Sequence, residues 1–268
     1  MPERDPALDV ANASGFPLQV ALEHVVRKTK DQHHWTVRYV EHSWRNRADD
    51  KSGFIDLVLR NHYGTQTLVV ECKRVRDAAW LFLRSDGTSQ PRRHYKTWIS
   101  RYVEGSMKYF GWHDIAVDPP TAEVLYCTVR GQSDSAPMLE RIAADVVSST
   151  EALALEEKDY RRQGSSIQFY FNAIVTTAEL KICKFSPDNI SLADGSISSA
   201  DFETVPFLRF RKQLSSRGDL FTPEDFASGE DPSKRKEHTV WIINSQSLVD
   251  FLVSLEIESN SANEFASG

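Results

Sequence analysis

The chain is predicted to be an α/β protein with a mixed central sheet flanked by helices. Apolar residues recur at helical spacing near the start, at Leu18, Ala21, Leu22, Val25 and Val26. Short runs rich in aromatic and β-branched residues, bounded by Gly, Asn and Pro, recur through the rest. Helix-like and strand-like segments alternate along all 268 residues, the order that builds a sheet with helices packed on it. A chain of this length buries about three quarters of its unfolded surface, enough for a large core without a disulfide or metal staple.

Gly15-Phe16-Pro17 opens the first helix, which fades at the polar residues 28–31. Residues 35–44 read as a strand and 46–52 as a polar turn. Two further strands, 54–60 and 67–73, flank a hairpin loop at 61–66 that carries Asn61 and Gly64. Tyr95, Trp98, Ile99, Tyr102 and Val103 have the spacing of a second amphipathic helix, ending near Gly111. Residues 122–129 predict a strand, 137–157 a long helix, 167–185 strands with a bend near Thr177, and 205–210 another strand. The organisation expected is a core over 1–214, a polar surface loop or linker at 215–238, a strand-helix extension at 239–258 packing on the core, and a mobile tail at 259–268.

With 40% hydrophobic and 26% charged residues, the composition excludes disorder and collagen. The longest apolar run, 78–83, is far short of the roughly 18 residues that cross a bilayer, so no membrane helix is expected. The polar N-terminus leads into no signal-like apolar stretch. Cys72, Cys127 and Cys183 lie far apart without metal-ligand spacing, which reads as three reduced thiols in a cytoplasmic protein. The net charge of −6 argues against a protein that coats nucleic acid indiscriminately. From 73 to 101, however, eight basic residues stand against Asp77 and Asp86, a local +6 that leaves −12 on the remainder.

The chemistry concentrates just before that stretch. Gly53-Phe54-Ile55-Asp56-Leu57-Val58-Leu59-Arg60 and Leu68-Val69-Val70-Glu71-Cys72-Lys73 place isolated charges inside apolar strands, which is costly unless they have partners. Pairing the strands about the 61–66 loop sets Arg60 against Thr67 and brings Asp56 opposite Glu71. One face then carries Ile55 with Cys72, Leu57 with Val70 and Leu59 with Leu68, and the other carries the charges, with Lys73 beside Glu71 and opposite Phe54. Two opposed carboxylates repel, and a divalent cation reverses that penalty. Oxygen donors select Mg2+ or Mn2+, an ion that accepts phosphate oxygens and lowers the pKa of a bound water. Lys73, between two acids, is expected to stay protonated and to stabilise developing charge.

These residues resemble the PD-(D/E)XK nuclease superfamily. The match is an acid after an apolar strand start, then Glu71-Cys72-Lys73 at the end of the next strand, followed by Trp80-Leu81-Phe82. The resemblance covers about residues 15–110 and implies a restriction-endonuclease-like fold. It implies that Asp56 and Glu71 bind the metal, that the main-chain carbonyl of Cys72 adds a ligand, and that Lys73 is catalytic. Ile55 stands where the family name implies Pro. A first-helix acid is common in the superfamily. Glu23 is the nearest candidate, with Gln19 in a comparable place one turn earlier.

The acid-x-Lys triplet alone is weak, since 38 acids in a chain of this length predict about two by chance. Four occur, ending at Lys51, Lys73, Lys158 and Lys181. Only the one at Lys73 follows a three-residue apolar lead with a strand-borne acid fifteen residues upstream. Arg74, Arg76, Arg92, Arg93 and Lys96 are the expected phosphate contacts. His33-His34 and Trp112-His113-Asp114 are further candidates as ligands or proton carriers, though such histidines are commonly only solvated. The function expected is a Mg2+-dependent (or Mn2+-dependent) nuclease acting on DNA, with RNA left open, helped by a partner subunit or a homodimer. Such an enzyme suits bacterial defence or repair. The alternative is an inactive module of the same fold that binds nucleic acid or protein.

Overall fold

The computed structural model describes residues 5–46, 50–75, 79–87, 92–129, 138–161, 164–214 and 236–266. Asp5 caps α1 (Pro6–Ala13), accepting from the Ala7 amide at 2.9 Å. α2 (Phe16–Lys28) has Pro17 in its first turn, buries Gln19, Leu22 and Val26, and places Arg27 and Lys28 where the helix dipole favours cations. A single turn, α3 (Lys30–His33), leads into β1 (Trp35–Asn46), β2 (Lys51–Asn61) and β3 (Gln66–Lys73). The β2–β3 ladder pairs Leu57 with Val70 through Arg60 with Thr67, the register that the apolar alternation predicts.

The next segment departs from expectation. β4 (Ala79–Ser85) is followed by a long hairpin, β5 (Arg92–Val103) and β6 (Ser106–Thr121), where the apolar spacing predicts a helix. Tyr95 and Ile99 lie four apart, which suits a strand face and a helix face alike. A register shift between Arg101 and Tyr102 then rephases the strand, so that burial at 95, 99 and 102 imitates a helix. The turn is Glu104 and Gly105, both at positive φ (49° and 76°), the two-residue connection whose twist suits a hairpin.

The strand predicted over 122–129 bends at Leu125. Its halves, β7 (Glu123–Val124) and β8 (Tyr126–Val129), join different sheets. α4 (Met138–Arg161) is the long helix. β9 (Ser166–Thr176) and β10 (Glu179–Phe185) separate at the expected bend, and β11 (Asp201–Thr204) and β12 (Phe207–Gln213) follow. The predicted loop at 215–238 lies, up to residue 235, outside the described residues.

β13 (Glu237–Asn244) opens the extension expected at 239–258. It lies inside the main sheet, parallel to β9 and antiparallel to β12, with Val240 to Ile243 fully buried. α5 (Leu248–Ser254), β14 (Glu256–Ile257) and α6 (Ser259–Ala266) complete the chain. The tail expected to be mobile carries α6 up to Ala266. Phe265 is buried with its ring 5.1 Å from that of Tyr109 and 5.3 Å from that of His113.

The main sheet is mixed and ten-stranded, in the order β1-β2-β3-β9-β13-β12-β7, with β5 joining β9 and β6, and β14 joining β6. A four-stranded sheet, β11-β10-β4-β8, stands apart. Both faces of the main sheet are covered. Val58, Val69, Ile174 and Ile242 pack with Ala143, Val146 and Val147 of α4. Leu57, Leu59, Leu68, Val70 and Trp241 pack with Leu22 and Val26 of α2 and Phe251 of α5. This corrects the expectation of one apolar and one charged face. The central β2–β3 pairs are apolar on both sides. Among the described residues, no helix is long and apolar enough to cross a membrane.

Candidate functional site

β2 changes character at Asp56. Ile55 and Leu57 should share a face, yet they pack on opposite sides of the sheet. Two irregularities in β1 accompany the break, a register shift between Val37 and Tyr39 and a positive φ of 52° at Glu41. The β2–β3 ladder stops at Leu57–Val70, one pair short of Asp56 and Glu71. In an unbroken ladder the Cys72 amide would face Ile55. It donates instead to Oδ2 of Asp56 at 2.6 Å. The carbonyl of a strand residue points to the same side as its amide, so the Cys72 carbonyl also faces the Asp56 side. The Lys73 carbonyl faces the other way and accepts from the Thr177 amide.

Glu41 falls between the pairs Val40–Leu57 and His42–Ile55, opposite Asp56. Three acids, Glu41, Asp56 and Glu71, thus occupy neighbouring positions across three adjacent strands. Gln19 braces them from α2. Its amide donates to Oε1 of Glu41 at 2.6 Å and to the main-chain carbonyl of Asp56 at 3.1 Å. Glu23 takes no part. It sits one turn away, paired with Arg27 at 2.9 Å, so the first helix reaches the acids through Gln19. Glu41 is absent from the sequence reading. Its signal was an isolated acid in the aromatic and β-branched run 35–44, invisible without the β1–β2 register.

The electrostatics show how poorly these charges are balanced. Burial, with the Asp56 carboxylate next, pushes the Glu71 carboxyl up to about 8, against the relief offered by Lys73. Asp145 of α4 and Glu41 add to the rise. Burial also raises Asp56, opposed by the hydrogen bond from the Cys72 amide. Lys73 influences both acids, yet among the described residues no carboxylate lies within ion-pair distance of its amine. The triplet Glu179-Leu180-Lys181 behaves oppositely. There the carboxylate is exposed, bonds Lys181 and Thr204, and is held below its usual range.

The donor set suits a hard cation. Asp56 and Glu71 offer carboxylate oxygens, and the carbonyl of Cys72 lies on the Asp56 side. The Cys72 thiol is unsuited, because burial and both carboxylates hold it protonated. No group of three or more His, Cys, Asp or Glu side chains converges on a common ion position among the described residues.

The basic stretch does not gather at this site. Arg74 is next to it and reaches the Ser14 carbonyl at 3.4 Å. Arg76 lies outside the described residues. Arg92 and Arg93 pair with Glu123 and Asp118, each at 3.2 Å. Arg92 is joined to β7, four strands from β3, roughly 19 Å at about 4.8 Å per strand. Lys96, only 6% exposed inside β5, is no surface phosphate contact. Of the histidine candidates, His33 is structural. His33 accepts the Trp35 amide on Nδ1, so its Nε2 donates to Thr29. Asp114 pairs with Arg211, and Trp112 donates to Glu151.

No protein-family model, no curated protein and no solved structure matches this chain.

Proposed function

We propose that the chain is a Mg2+-dependent (or Mn2+-dependent) nuclease of the PD-(D/E)XK superfamily, with a restriction-endonuclease-like core, that hydrolyses phosphodiester bonds of DNA. The observation that carries this reading is a Glu71 carboxyl pushed up to about 8 beside Asp56, with Lys73 at hand and, among the described residues, no carboxylate within ion-pair distance of its amine. A structural ion pair would have locked Lys73 onto an acid, as Lys181 is locked onto Glu179. Functional sites keep such unrelieved charge for a ligand.

Asp56 and Glu71 hold the cation, with the Cys72 carbonyl as a third ligand. When bound, the ion polarises the scissile phosphate and lowers the pKa of a water. Glu71 must lose its proton to take part, so affinity for the ion rises with pH up to about 8. Gln19 fixes the Asp56 backbone and the Glu41 side chain, which holds the carboxylate row in place. Lys73 stabilises charge on the phosphate oxygens or orients the attacking water.

One observation favours the second reading, an inactive module: Oδ2 of Asp56 is already bonded to the Cys72 amide, leaving Oδ1 to serve an ion. Incubating plasmid, single-stranded DNA and RNA with the protein in Mg2+, Mn2+ or EDTA separates the two. Cleavage of DNA abolished by EDTA and by Lys73→Ala supports the enzyme. Binding without cutting under every metal condition supports the module, and cutting of RNA alone refutes the DNA assignment.

A further inference from the structure

The long helix α4 packs across the sheet, and its hydrogen bonds fix how far along β3 each turn stands. Glu157 accepts from the Tyr170 hydroxyl at 2.7 Å, and Thr150 donates to the Asn172 side chain at 2.6 Å. Tyr170 lies beside Thr67 of β3, and Asn172 beside Val69. Seven residues back along α4 thus advance two along β3. A further seven reach Ala143, level with Glu71, where Ala143 joins one apolar cluster with Val69 and Ile174. Arg141 then stands level with the interval between Glu71 and Lys73.

Two ion pairs show which flank of the helix faces the carboxylate row. Asp145 is bound by Lys51 of β2 at 3.0 Å, whereas Glu140 is bound by Lys212 of β12, on the other side of β3 and β9. Arg141 is one turn from Asp145 and shares its flank, so it lies on the β2 side, where Asp56 is. The Asp145 carboxylate is near enough to help raise the Glu71 carboxyl, which sets this flank beside the row. An arginine four residues before an aspartate on one helix face is well placed to pair with it. Here Lys51 takes the aspartate. Arg141 is exposed, and among the described residues no carboxylate lies within ion-pair distance of its guanidinium.

We infer that Arg141 of α4 holds a backbone phosphate of the DNA next to the scissile one, an inference that rests on the nuclease reading of the carboxylate row. A planar guanidinium meets a phosphate through two parallel N–H donors, which fixes orientation as well as adding charge. Lys51 neutralises Asp145, so the aspartate one turn away does not repel that phosphate. With Lys73 and Arg74 at the end of β3 and Arg141 on the helix packed over it, the backbone is held from both layers of the fold.

The test is fluorescence anisotropy of a short DNA duplex titrated with the full chain in EDTA, where no cutting intervenes, at salt from about 50 to 200 mM. Each phosphate contact steepens the salt dependence, so Arg141→Gln should lose about 3- to 4-fold less affinity over that range than the parent does. Arg141→Lys keeps the charge and should keep the parent's salt dependence. Arg27→Gln removes the same charge from α2, where Arg27 pairs with Glu23, and should also leave it unchanged. Both positions are exposed and glutamine suits a helix, so these variants should melt within about a degree of the parent. An unaltered salt dependence in Arg141→Gln, or an equal reduction in Arg27→Gln, overturns the inference. Mg2+-dependent cleavage by the parent then shows that the nuclease reading stands without it. No saturable binding of the duplex and no cleavage by the parent overturn both.

Discussion

Glu71 carries an electrostatic cost that folding alone does not remove. Its carboxyl is protonated in the folded chain up to about pH 8, whereas in the unfolded chain it ionises near its ordinary value of 4.5. Its contribution to stability is therefore fully present below 4.5 and is lost as pH rises through about 8. Glu71→Gln should keep the shape and remove the ionisation. The variant is expected to melt about 2–6 °C above the parent at pH 9 and within a degree of it at pH 5, measured by calorimetry without metal. The same variant should lose Mg2+-dependent cleavage. Gln19→Ala frees the Glu41 side chain and the Asp56 carbonyl. As a residue that positions a ligand without holding the ion, it should lower cleavage about 10- to 100-fold. Its melting temperature should fall only slightly, and the pH at which activity rises should shift.

At the scale of strands, the sheet is joined by buried polar links as well as ladders. Arg209 of β12 is fully buried and donates to the carbonyls of Pro119, Arg93 and Val117 and to the Thr121 hydroxyl, tying β12 to the ends of β5 and β6. Its guanidinium lies 4.1 Å from the Trp241 ring centroid. Arg209→Ala orphans those acceptors and should cost about 3–5 kcal/mol in a denaturant melt. Arg92→Ala, which removes a half-exposed ion pair with Glu123, should cost less than about 1 kcal/mol. These links were not legible in the sequence, because Arg209 looks like any charge in an alternating strand. The β2–β3 hairpin was legible, since a turn loop and strict alternation leave one register that buries the apolar set. The β5–β6 hairpin was not, because the shift at Arg101 gives strand burial a helical rhythm. Glu41 escaped for a related reason: its place opposite Asp56 depends on a register shift at Val37 that leaves no mark in composition.

For the whole molecule, the net charge of −6 opposes DNA, and among the described residues the ion-paired Arg92 and Arg93 lie far from the carboxylate row. Among the described residues of the +6 stretch, Lys73 and Arg74 stand at the carboxylate row, Arg92 and Arg93 are ion-paired, and Lys96 is buried. DNA held through two phosphate contacts at Lys73 and Arg74 should lose roughly 10-fold in affinity between 50 and 200 mM salt. Fluorescence anisotropy with a short duplex measures this, and a flat response would show that these side chains do not meet phosphate. Weak intrinsic affinity is also what a partner subunit or a second copy would compensate, and sedimentation with and without DNA reports either. The proposed chemistry depends above all on where a divalent ion binds. Anomalous diffraction from a crystal soaked in Mn2+ at pH 8 should show a peak about 2.0–2.3 Å from carboxylate oxygens of both Asp56 and Glu71. A peak elsewhere, or none beside these two acids, would contradict it.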